Sequence, residues 1–135
     1  MKVANMDNLL YICDQWGVKI KSQKDIMAGA IPPAGLIYLS NSIKSEYKTA
    51  ILAHEMGHIY TYMAGGSEKR FPHLRLFRRK DKHNLKSNKY KRSLLAEEKE
   101  AWNIAEGLIK EFEKDYNMNL FYELKKESLK SYGNE

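Results

Sequence analysis

His54-Glu55-Met56-Gly57-His58 has the form H-E-x-x-H, and those residue types at that spacing can do hydrolytic chemistry. On an α-helix, side chains four apart stand one turn above each other, so both imidazoles can reach a single metal ion. Neutral imidazole suits Zn²⁺, and two of them fill half of a tetrahedral site. Glu55 is rotated by about 100° from His54 and can stand beside the metal. There it could take a proton from an attacking water and hand it to a leaving amine. A catalytic zinc asks for a third protein ligand and one open position. The elongated pattern H-E-x-x-H-x-x-G-x-x-H does not supply it, because Thr61 holds the glycine place and Ala64 the third histidine place.

The third ligand must therefore come from elsewhere in the chain. Ala96-Glu-Glu-Lys-Glu-Ala-Trp-Asn-Ile-Ala opens a later helical stretch with three carboxylates, Glu97, Glu98 and Glu100. Glu97, Glu100 and Ile104 share a face by helical spacing, bordered by Trp102 and Ala105, whereas Glu98 falls on a side expected to be more exposed. Acidic residues are also favoured in a first helical turn by the backbone dipole, so not all three are ligands. His73 and His83 are the rivals, and Tyr60, Tyr62, His73 and His83 are the candidates to stabilise an oxyanion.

The elements that must position these groups follow from periodicity and breakers. Met6, Leu9, Leu10, Cys13 and Trp16 recur at helical spacing over about 5–16, and Gly17 follows as a stop. Val18-Lys-Ile-Lys-Ser alternates like a half-buried strand, and Leu36-Ile-Tyr-Leu-Ser reads as a strand covered on both faces. Between them lies a turn-rich bridge around Pro32-Pro33, and Ala28–Ile31 can add to the sheet. The central helix is expected over about 46–64, capped by Ser45, with Glu46 in its first turn and Gly65-Gly66 at its end. Apolar residues on all its sides place it in the core. Gly57 in its interior costs about 1 kcal/mol against Ala, which implies a close neighbour. A third helix is expected over about 93–116, burying Leu94, Leu95, Trp102, Ala105, Leu108, Ile109 and Phe112, and a last one over about 120–132. The expected architecture is α+β, mostly helical, with a small antiparallel sheet packed on the active-site helix.

The H-E-x-G-H helix, preceded by a Gly-Leu-Ile-Tyr-Leu strand and followed by Glu100-Ala-x-x-x-Ala, resembles the ImmA/IrrE family of metallo-endopeptidases. The resemblance spans residues 5 to 115 in order of elements and rests on those two motifs. It implies a zincin-like fold of the gluzincin type, Zn²⁺ on His54, His58 and Glu100, and Glu55 as the base. It also implies a protein substrate, a helix-turn-helix transcriptional repressor of a phage or mobile element. The chain departs from the pattern at Trp102, where Asn is usual, and at Ile104, where an aromatic is usual. No Leu-Met-Pro-like end follows.

Composition bounds the rest. The 135 residues, 43% apolar and 30% charged, fit one folded domain, taken as 1–135. The longest apolar runs are far short of the ~20 residues of a membrane span. With no signal-like N-terminus and one cysteine, Cys13, the expected compartment is the reducing cytoplasm. Cys13 itself reads as a small core residue. The net charge of +6 is uneven: between Gly65 and Ser93 eleven Lys/Arg face only Glu68 and Asp81, a local +9. This insertion, about 65–93, gives two further readings. Residues 69–92, with Phe71, Phe77 and Tyr90 interleaved, could contact phosphates and stack on bases in a zinc-stabilised nucleic-acid-binding protein. The other reading is a non-catalytic interaction protein on the same fold.

Overall fold

The computed structural model describes residues 6–22, 28–65 and 88–130. Its elements in chain order are α1 (Asp7–Gln15), β1 (Lys19–Ser22), β2 (Ala28–Ile31), a 3-10 turn (Pro32–Ala34), β3 (Leu36–Leu39), α2 (Ser45–Met63), α3 (Asn88–Phe112) and α4 (Met118–Lys130). The class is α+β and mostly helical. None of the described helices is long and apolar enough to cross a membrane.

The sheet departs from the antiparallel one expected. Its order is β1-β3-β2, with β3 parallel to β1 and antiparallel to β2. β2 runs opposite to β1, the 3-10 turn reverses the direction again into β3, and β3 lies between the other two. Gly35 closes that turn in the left-handed region at φ 64°, which a residue with a Cβ enters at a cost. Ile37 and Leu39 are buried on one face of β3, while Leu36 and Tyr38 are only partly covered.

α1 stops where Gly17 adopts φ 77°: the Val18 N–H donates to the Cys13 carbonyl and the Gly17 N–H to Asp14, a Schellman closure. Its other end has no side-chain cap of its own, since Met6 stands at the capping position. Glu113, distant in sequence, supplies one by accepting from the Asn8 and Leu9 amides at 2.9 and 3.2 Å. The Asn8 amide nitrogen returns a 2.7 Å bond to the Phe112 carbonyl, so α1 and α3 cap each other. Glu113 thus takes the inward position at the end of α3. Phe112, expected inside, is 41% exposed, and the helix ends before Tyr116. The start of α3 also moves, from the expected 93 to Asn88.

α2 runs through the core, with buried residues all round it: Ala50, Leu52, Ala53, Met56 and Ile59 among them. It begins at Ser45, so Ser45 is the first helical residue and not the cap; Lys44 holds that place in an extended conformation with no side-chain bond. β2, β3, α1 and α4 pack around α2, and α3 makes the most extensive contact with it. At the crossing of α2 and α3 a Cβ on residue 57 would be driven into the Ala101 carbonyl oxygen and would lie 2.9 Å from its carbon. The close neighbour implied by Gly57 is the α3 backbone. α4 is opened by Asn117, whose Oδ1 accepts from the Asn119 amide at 2.9 Å, and Phe121 anchors it in the core.

Candidate metal centre

α2 carries His54 and His58 one turn apart, each with only a small exposed edge, and Glu55 buried beside them. One ligand atom from each of His54, Glu55 and His58 lies within 4.8 Å of the others, so this group can hold a metal ion. Glu55 Oε2 stands 3.2 Å from His54 Nδ1, at the far end of that imidazole from Nε2.

The carboxylate facing the imidazole pair is Glu98. Its Oε1 lies 2.8 Å from His54 Nε2 and its Oε2 lies 2.9 Å from His58 Nε2. Glu100, the residue indicated by the resemblance, is elsewhere: it lines an open pocket of about 560 Å³ with Ala96, Lys99, Asn103 and Ile104. The reason is rotational. Residues two positions apart on a helix are separated by about 200°, so Glu98 and Glu100 cannot face the same neighbour. The side of α3 turned to α2 holds Glu97, Glu98, Ala101, Trp102, Ala105 and Ile109, all buried, and Glu98 is therefore inside, not on the exposed side expected. Glu97 is buried on the same side, but the two imidazole bonds go to Glu98. The signal was present in the sequence: Glu98 precedes Trp102 by four and Ala105 by seven, the spacing of a packed seam.

Trp102 also belongs to this region. Its indole stacks on the His54 ring, centroids 4.3 Å apart and planes 19° from parallel. The two imidazoles meet edge to face at 4.7 Å. The His54 ring thus has a neighbour at each nitrogen, on one face and along an edge.

The electrostatics follow from that enclosure. Burial is the largest single influence on His54 and favours its neutral form. Hydrogen bonds to Glu55 and Glu98 together outweigh it, raising the pKa from 6.5 to about 9. Burial likewise acts to raise the Glu98 pKa, but the two imidazoles win and hold it at about 2 against an ordinary 4.5. Two nitrogen donors and a charged carboxylate are thus gathered under a largely apolar cover.

Of the other candidates, Tyr60 lies two residues past His58, turns to another side of α2, and packs near Trp16 at 6.1 Å. Tyr62 continues the stripe of His54 and His58 by one more turn and is 37% exposed. Cys13 is buried in the core, and burial pushes its thiol up to about 11, far from a reactive thiolate. His73, His83 and most of the basic segment 69–92 lie outside the described residues. Comparison of the chain with family models, curated proteins and solved structures gives no match.

Proposed function

We propose that this chain is a zinc-dependent endopeptidase of the ImmA/IrrE type with a zincin-like fold, cutting a peptide bond in a partner protein. The substrate class that the motif resemblance suggests is a helix-turn-helix transcriptional repressor. The observation that carries the reading is the convergence of His54 Nε2 and His58 Nε2 on one carboxylate, with a second carboxylate alongside. Two imidazoles and a carboxylate form the His₂Glu donor set of catalytic zinc. Tetrahedral ligands about 2.0–2.2 Å from zinc stand roughly 3.3 Å apart. The present separations of 2.8 and 2.9 Å are those of direct hydrogen bonds, and the donors would move apart by roughly 0.4–0.8 Å to admit the ion.

His54, His58 and Glu98 would hold the ion, and Glu98 replaces Glu100 in that role. Bound zinc supplies Lewis-acid polarisation of a scissile carbonyl and acidifies water towards a pKa of about 7. Glu55 accepts the proton of the attacking water as its oxygen bonds to the carbonyl carbon. It then delivers that proton to the amide nitrogen as the C–N bond breaks. Glu55 is buried and its Oε2 stands at His54 Nδ1, so the carboxylate has to swing toward the Nε2 side to reach that water.

An extended substrate would need a free strand edge. β3 is central and paired on both sides, so it offers none. The edges are β1 and β2, and β2 is the edge that packs against α2. β2 is therefore the better candidate to align a peptide beside the imidazole pair.

The test is Glu55→Gln, assayed for zinc content and for cleavage of a helix-turn-helix repressor. We expect one zinc per chain in both proteins and a loss of cleavage of about 10²–10⁴-fold in the variant. A variant that keeps zinc and cleaves at the full rate refutes the assignment of Glu55.

A further inference from the structure

The proposed site uses side chains from α2 and α3 only, yet Trp102, which borders it, leads to α4. Trp102 follows Glu98 by four residues, so both project from the same side of α3 toward His54. Glu98 meets the ring at Nε2, and the indole covers its face at 4.3 Å. Phe121 of α4 packs edge to face with the indole at 5.3 Å. The indole Nε1–H donates to Ser128 Oγ of α4 at 3.2 Å. The indole is thus held by α4 through a ring contact and at its polar edge, and only 3% of Trp102 is exposed.

An imidazole on two single bonds can present its nitrogen lone pair to a metal over a range of ring orientations. Glu55 at Nδ1 and Glu98 at Nε2 hold the His54 ring at its edge and bear on neither face. A planar group stacked 19° from parallel supports one face and resists tilting of the ring out of that plane. We infer that Trp102 is a positioning residue of the metal site, setting the plane of His54, and that α4 holds it through Phe121 and Ser128. The inference rests on the metal-site reading above. It makes α4 part of the site although α4 supplies neither a ligand nor a base.

The test uses the full chain, zinc and cobalt(II), and three variants. Trp102→Leu removes the stacked plane, Trp102→Phe keeps an aromatic plane without the Nε1–H, and Ser128→Ala removes the acceptor. Positioning partners of metal ligands are worth about 10–100-fold in affinity. We expect that loss in zinc affinity for Trp102→Leu, with rescue to within about threefold by Trp102→Phe. The visible d–d absorption of the cobalt form, which reports ligand geometry, should change in the Leu variant and return in the Phe variant. Ser128→Ala should weaken zinc binding by a few-fold, since the aromatic clamp remains. A residue that merely packs α3 on α4 would lower thermal stability in both Trp102 variants and leave the affinity and the cobalt spectrum of the folded protein unchanged. That outcome overturns the inference. Should Trp102→Leu not fold, Ser128→Ala decides: a few-fold loss of zinc affinity with a changed cobalt spectrum supports the inference, and wild-type affinity and spectrum overturn it. A wild-type chain that binds neither zinc nor cobalt overturns the metal-site reading itself, and this inference with it.

Discussion

Replacing Glu98 by Gln discriminates most sharply between the carboxylates of α3. Gln has nearly the same shape but no charge, and it offers one carbonyl acceptor where Glu98 offers two oxygens. The imidazoles lower the Glu98 pKa from 4.5 to about 2. At 1.36 kcal/mol per unit this sets a ceiling of about 3 kcal/mol on what the charged form contributes at neutral pH. One imidazole can still donate to the amide oxygen, so we expect the metal-stripped variant to lose about 1–2 kcal/mol, or roughly 4–8 °C in Tm. The larger difference appears with metal. Zinc at a hundred times its Kd should stabilise the wild-type chain by about 2.7 kcal/mol, and a neutral amide in place of the carboxylate should remove most of that increment. Glu100→Gln is the control, because Glu100 faces the open pocket with Lys99 and Asn103. It should leave the zinc increment within about 0.5 kcal/mol of wild type. The assay is thermal unfolding by circular dichroism with and without zinc. Full retention of the zinc increment in Glu98→Gln, together with its loss in Glu100→Gln, would return the third ligand to Glu100 and refute the rotational argument.

Gly57→Ala should destabilise the protein by about 2 kcal/mol or more. The new methyl meets the Ala101 backbone, which has no flexible end to yield, and the helix-propensity gain of about 1 kcal/mol does not offset it. Urea unfolding measures this, and an unchanged or raised midpoint would show that the helices separate freely. The metal-stripped protein should also show a two-sided pH profile. His54 has a raised pKa, so its contribution is complete below pH 6.5 and is lost as pH rises through about 9; Glu98 has a lowered one, so its contribution is complete above pH 4.5 and is lost as pH falls through about 2. Since zinc must displace the His54 proton, its affinity should rise by about tenfold per pH unit between 6.5 and 9, and an affinity flat over that range would mean that His54 is not a ligand.

Much of the helical frame was legible because it is written in local chemistry. Gly17 ends α1, the apolar girdle of α2 places it in the core, and Gly57 announces a close approach. What the sequence concealed depends on partners far away. Glu113 looks like one more acidic residue near a helix end; only folding brings it to the Asn8 and Leu9 amides. The parallel pairing of β1 with β3 depends on which edge of β3 each neighbour takes, and neither strand's alternation encodes that. The pair His54 and His58 was certain to share a face if helical, but the choice among Glu97, Glu98 and Glu100 depended on the rotation of α3 to within one residue. Buried alanines at 101 and 105 mark that rotation better than the charged residues do, since a small side chain is selected where backbones touch.

The same crossing accounts for why a carboxylate can serve both imidazoles. Helix axes usually pack 8–10 Å apart, set by the side chains between them. Gly57 and Ala101 place almost nothing between α2 and α3, so the backbones come as near as their own atoms allow. Gly57 lies next to His58 and three residues after His54, and Ala101 lies three residues after Glu98. The donors therefore sit within one turn of the closest contact. A side chain as short as Glu can then span the gap and bond both rings at 2.8 and 2.9 Å. Wider spacing would break one of those bonds before it disturbed the rest of the core. Packing and the proposed metal binding thus draw on one contact, so loading the site should tighten the α2–α3 seam, and loosening the seam should first be felt as lost metal affinity.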